Sequence, residues 1–185
     1  MSELQIDKIG LKVGLEIHQQ LATNKKLFCG CAPMESDEYP IRFFRKLRLA
    51  KSELGEYDPT TVFEKSKDKT IVYHANPASS CLVEQDEEPP HEVNREAKEI
   101  ALIIAAALKS TIFSEIHVMR KIVIDGSNTS GFQRTMLVSQ GGYLEVDGNK
   151  VGVQGVSLEE DAAKLLGDTA DTREYSLDKI GRAHV

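Results

Sequence analysis

Two short acidic groups have the residue types and the spacing to hold a hard cation. The first is Glu16 with His18, in a segment where Ile9, Leu11, Val13, Leu15 and Ile17 alternate with Gly10, Lys12, Gly14, Glu16 and His18. Period-two alternation predicts a strand with one buried face. It also sets Glu16 and His18 side by side on the other face, with Gly10 and Gly14 leaving room for a ligand. Carboxylate oxygens suit Mg²⁺ or Mn²⁺, and an imidazole ligand tilts the choice toward Mn²⁺ without excluding Mg²⁺. The same alternation also fits the solvated outer face of an edge strand.

The second group is Glu159-Glu160-Asp161. Three adjacent acids repel one another unless solvent or a metal relieves them. An acidic helix start, where the dipole welcomes negative charge, is the plainer reading. Parity nevertheless sets Glu160 with Val156 and Leu158. An acid sharing a face with apolar residues needs a partner, and a metal would serve.

Positive charge for a phosphate comes from Arg120 and Lys121. Adjacent strand residues point to opposite faces, so at most one reaches a given site directly. Lys121 shares a polar face with His117 and Asp125 and is the better candidate. The run Gly126-Ser-Asn-Thr-Ser-Gly131 has P-loop spacing up to its second glycine, but Phe132 stands where the lysine belongs. The Walker reading therefore fails, leaving an ordinary turn or a loop of backbone N–H groups.

The elements that must position these groups are mainly strands. Ile71 to His74 and Ile112 to Ile124 have strand character, and Leu144 to Glu160 reads as a hairpin turning at Asp147-Gly148, with a bulge at Gly155. Asn94 to Lys109 reads as a helix, with Asn94 as N-cap and Ala97, Ile100, Ala101, Ile104 and Leu108 on one stripe. Asp161 to Leu166 is expected to begin a short helix. Residues 33–69 read as a charged, partly solvated excursion from the core. The predicted class is α+β, mainly antiparallel sheet with few helices.

The chain has 185 residues, room for one domain that buries roughly 70% of its unfolded surface. A formal net charge of -6 argues against a broad nonspecific grip on nucleic acid. Three cysteines and no secretion signal predict a reducing, cytoplasmic setting. The longest apolar run, Ile100 to Leu108, is too short to span a bilayer, so no membrane association is expected.

Several of these motifs fall in one order. Lys12-Val-Gly-Leu-Glu-Ile-His-Gln-Gln-Leu21, then Lys26-Leu-Phe-Cys29, resembles the opening signature of the GatB/GatE amidotransferase family, and Leu158-Glu-Glu-Asp-Ala-Ala-Lys164 is similar to its second signature. Val93-Asn-Arg-Glu-Ala97, Arg120-Lys121 and Phe132-Gln133 lie between them in the family's order. Ser157, Asp86-Glu-Glu-Pro-Pro90 and Asp125 to Gln133 look like the archaeal branch.

The resemblance implies a catalytic domain related to glutamine synthetase, formed in part by residues 1–181. It implies a kinase-like ligase site using ATP and Mg²⁺, with Mn²⁺ possible. Matching positions make Glu16, His18 and Glu160 metal ligands, with Glu159 as the alternative. Arg120 and Lys121, the candidates for phosphate charge, would then bind ATP, with Lys121 preferred as the catalytic charge because it shares the polar face. The implied reaction is ATP-dependent amidation of Glu-tRNA(Gln), with ammonia from an asparaginase-like partner subunit. A noncatalytic docking fragment and a small-molecule carboxylate–amine ligase are the alternatives.

Relatives of the bacterial type carry a four-cysteine zinc knuckle. Here Cys29, Cys31 and Cys81 match, but Ala78 stands at the fourth position, so zinc is not expected unless His74 substitutes. Tyr175-Ser-Leu-Asp-Lys-Ile-Gly181 follows the family, whereas Arg182 to Val185 departs from it and reads as a non-native tail.

Overall fold

The structure, a computed structural model, describes residues 10–34, 38–52 and 54–177 and the backbone of 181–184. Ile9 of the expected first strand, the stretch 178–180 and Val185 lie outside the described residues. Among the described residues, two helices accompany strands that are nearly all antiparallel, which is the α+β class.

The strands are β1 (His18–Gln20), β2 (Ile41–Lys46), β3 (Thr70–Ala75), β4 (Thr111–Ile112), β5 (Met119–Ile122), β6 (Phe132–Gln140), β7 (Tyr143–Val146), β8 (Asn149–Gly152), β9 (Gly155–Glu160), β10 (Lys164–Asp168), β11 (Thr172–Ser176) and β12 (Gly181–His184). The helices are α1 (Pro59–Ser66) and α2 (Arg95–Ala107).

The main sheet runs β1-β12-β9-β6-β4, and β5 also pairs with β6. Its long central strand, β6, was not foreseen in the sequence. One face packs on α2, where Ala97, Ala101 and Ala105 lie against a core that includes Leu21, Phe28, Met136, Val138, Val156 and Leu158. Small alanines let the helix backbone approach the larger side chains of the sheet. Asn94 caps α2 by accepting from the Ala97 N–H at 3.3 Å, and its amide donates to the Lys25 carbonyl at 2.7 Å. The cap thus also ties the helix to the loop that follows β1.

A second sheet runs β10-β11-β3-β2, with β11 and β3 parallel. Its core stacks Tyr73 on Phe43 and on Tyr175, with ring centroids 5.1 and 6.2 Å apart. Burial pushes both tyrosine hydroxyls above their ordinary range. Both donate to the 125–126 backbone, Tyr73 to the Gly126 carbonyl at 2.6 Å and Tyr175 to the Asp125 carbonyl at 3.0 Å. The Gly126 to Gly131 run, which links β5 to β6 within the main sheet, is therefore packed against the second sheet at its start.

Several expectations need correction. The strand expected from Ile9 is present only as β1, whose ladder with β12 pairs His18, Gln19 and Gln20 with His184, Ala183 and Arg182. Leu11, Val13, Leu15 and Ile17, read as a buried face, are 57–80% exposed. The segment after Asp161 forms strand β10 rather than a helix, since Leu165 and Lys164 pair with β11. Residues 33–69 contribute β2 to the second sheet and also form α1, instead of lying wholly outside a core. The Asp147-Gly148 turn is as expected, both residues having positive φ of 49° and 79°. The parity switch near Gly155, however, marks where the chain leaves the β7–β8 hairpin to pair with β6. The register shift itself falls between Leu137 and Ser139 on β6.

Candidate functional site

Directly paired residues in a ladder project to the same face of the sheet. Across the main sheet, Thr135 pairs with Glu159, Leu137 with Ser157, and Lys121 with Gln133. Through the backbone of β12, His18 is level with Ser157 and Gln20 is level with Glu159. His18, Gln20, Lys121, Gln133, Thr135 and Glu159 therefore share the face opposite α2. Glu16 joins them, because the His18 Nε2 lies 3.2 Å from its Oε1.

Glu159 is fully buried within this face. The Thr135 hydroxyl donates to its Oε2 at 3.4 Å, and the Lys121 Nζ lies 3.7 Å from the same oxygen. Beside it, the Gln20 amide donates to Asp161 at 3.0 Å and so ties β1 to the end of β9. The last two acids of the Glu159-Glu160-Asp161 run thus have different company from the first.

Glu160 belongs to the opposite face. Its carboxylate lies against Arg134, with Nη1 3.0 Å from Oε1 and 3.1 Å from Oε2. An acid on an apolar face does need a partner, and here the partner is Arg134. Breaking a buried pair of this kind by removing one member typically costs about 3–5 kcal/mol. Arg120, directly opposite Arg134 across the β5–β6 ladder, lies on this far side, its guanidinium 5.8 Å above the Phe132 ring. Lys121 is half-exposed on the polar face.

Arg134 and Thr135 were not singled out from the sequence. A signal for Arg134 was present: it alternates with Met136 and Val138, so it is a cation on an apolar face, as Glu160 is an acid on one. Matching the two requires knowing that β6 and β9 are neighbours.

Elsewhere, the sulfurs of Cys29, Cys31 and Cys81 lie within 4.8 Å of one another. Burial pushes the Cys29 and Cys31 thiols up. His74, the possible fourth ligand, has its Nε2 2.7 Å from Glu174 instead. A separate cleft in the second sheet sets Lys46, Lys69 and Arg173 against Glu64, Asp68 and Asp125. Its charges are largely compensated, and its lining includes none of the polar-face residues.

Residues 11–185 match the family described as the GatB/GatE catalytic domain. The chain is 53% identical over 181 residues to the E-type subunit of the glutamyl-tRNA(Gln) amidotransferase of Sulfolobus acidocaldarius. It is 54% identical over the same length to the proteins of that name from Sulfurisphaera tokodaii and Saccharolobus solfataricus. Each match covers 98% of this chain but only 28–29% of the relative. No helix among the described residues is long and apolar enough to cross a membrane.

Proposed function

We propose, for a chain that belongs to the GatB/GatE family, that its polar sheet face forms part of the site where the glutamate of Glu-tRNA(Gln) is phosphorylated and then amidated. The observation that carries the reading is that His18, Lys121, Thr135 and Glu159 share one face of a sheet whose other face is a packed core.

A free carboxylate resists ammonia because its oxygen is a poor leaving group. Attack of a glutamate side-chain oxygen on the γ-phosphorus of ATP forms an acyl phosphate and releases ADP. Attack of ammonia on the acyl carbon then expels phosphate and leaves glutamine. The protein's work in such a transfer is positioning and charge neutralisation.

The donors on this face fit Mg²⁺ or Mn²⁺: hard carboxylate oxygens from Glu16 and Glu159, with the imidazole of His18. Glu16, His18 and Glu159 would hold the ion. When bound, the ion neutralises phosphate oxygens. Lys121 supplies protein charge at the solvent side of Glu159, while Thr135 holds the Glu159 carboxylate in orientation. Arg120 would act from the far side, through the strand, rather than at the phosphate.

The ammonia would come from an asparaginase-like partner subunit, in the cytoplasm. The acidic balance of this segment leaves tRNA capture mainly to other parts of the longer protein. The segment by itself is therefore expected to fold without catalysing amidation.

The test is Glu16→Gln and Glu159→Gln in the full-length protein, assayed for ATP-dependent conversion of Glu-tRNA(Gln) with the ammonia-donating subunit present. Each loses at least about tenfold, since even indirect partners of a metal cost that much. Activity within twofold of the parent for both variants would overturn the reading.

A further inference from the structure

We propose that Arg134 is a positioning residue, which by holding Glu160 on the helix side of the sheet makes Glu159 the acid that β9 offers to the polar face. The inference rests on the reading of that face as a metal site.

Neighbouring strand residues project to opposite faces, so Glu159 and Glu160 are rivals for one position. A one-residue slip of β9 would exchange them. Three contacts from β6 oppose that exchange. The Arg134 guanidinium meets both Glu160 oxygens, with the two side chains only 10% and 9% exposed. The Arg134 backbone N–H donates to the Glu160 Oε2 at 3.4 Å, and the Gln133 side-chain amide donates to the Glu160 carbonyl. Arg134 is itself held between rings, 5.6 Å above Phe132 and 5.8 Å above Phe28. With Glu160 fixed in this way, Glu159 falls opposite Thr135, within reach of its hydroxyl.

Arg134 lies on the far face and acts only through its partner. Without it, a buried carboxylate is left lacking its cation, which drives the end of β9 to rearrange. Replacing both members by apolar side chains removes the charge and the need for a counterion together. The two rivals then have distinguishable fates: a ligand is lost on neutralisation, whereas a positioning partner can be replaced as a pair.

The experiment is Mn²⁺ titration of the full-length protein followed by electron paramagnetic resonance, with a thermal melt of each variant. Arg134→Met should weaken Mn²⁺ binding by about tenfold or more, the range seen for indirect partners of a metal. The double variant Arg134→Met with Glu160→Leu should return to within about twofold of the parent, the scatter of changes that do not touch the ion. Glu160→Gln keeps the shape and an acceptor for Arg134, and should also bind within about twofold. It decides the matter should the double variant fail to melt cooperatively. If Glu160→Gln loses binding as Glu159→Gln does, Glu160 is a ligand and the proposal falls while the metal reading stands. If folded Arg134→Met binds like the parent, the positioning role falls. If Glu159→Gln itself binds like the parent, the metal reading falls with it.

Discussion

Lys121 and Glu159 meet across β6: the Nζ of one lies 3.7 Å from the Oε2 of the other, although β5 and β9 are not neighbours in the sheet. The carboxylate is fully buried and the lysine side chain is 51% exposed. Water around the lysine screens the attraction, but removing Lys121 leaves a fully buried carboxylate without that cation, which costs more than breaking an exposed pair. The pair brings a solvated positive charge to the mouth of a buried negative one.

Lys121→Met should therefore lower both activity and stability. ATP-dependent amidation by the full-length protein is expected to fall at least about tenfold, the scale of losing a charge that stabilises the transferring group. The melting temperature should fall by more than the few degrees that about 1 kcal/mol produces, so activity is compared per folded molecule. A large loss of stability with activity retained per folded molecule would reverse this assignment.

Asn94→Ala removes the α2 cap and the bond from Asn94 to the Lys25 carbonyl together. A lost cap alone costs about 1 kcal/mol, and the second bond brings the expected total to about 1–2 kcal/mol. Urea unfolding at neutral pH measures it through the midpoint, with the slope unchanged.

That cap was legible because capping is a local matter: a side-chain oxygen satisfies an N–H three residues on. The Asp147-Gly148 turn was legible for the same reason, being a two-residue problem with few solutions. The assignments that failed are non-local. Leu11, Val13, Leu15 and Ile17 carry a strand pattern, yet a pattern cannot supply the neighbouring strand. Lys164 and Leu165 are strand residues only because Ser176 and Tyr175 lie beside them. At the candidate site, the sequence offered both acids of β9, and the choice between faces depends on Arg134 and Thr135 in a strand it did not reveal.

Asp168 predicts a particular acid sensitivity. Hydrogen bonds from Arg173, and then from Lys69, lower its carboxyl from 3.8 to about 2. A lowered folded-state value means that the unfolded chain binds the proton first. The stabilisation is therefore present above pH about 3.8 and is lost as the pH falls toward about 2. Asp168→Asn should flatten the fall in urea midpoint across that window. An unchanged slope there would show that Asp168 does not contribute to it.

The three gathered thiols bear on zinc. A structural site takes four ligands, and its cysteines must be deprotonated. Here only three thiols gather, and His74 is engaged by Glu174. Elemental analysis of the purified protein should find less than one zinc per chain. Stoichiometric zinc would contradict this and would point to Glu84, whose Oε1 is 3.8 Å from the Cys29 sulfur, as the fourth ligand.

The strand pairings also set a timetable for synthesis. β1 meets β12, and the parallel neighbours β3 and β11 come from opposite halves of the chain. During translation, the early strands emerge long before the partners that complete their ladders. Loop closure over such separations is slow, and unpaired edges invite association with other chains in the interval. The β2–β3 and β7–β8 ladders can close as their strands emerge, whereas β1 waits for β12 and β3 waits for its parallel neighbour β11.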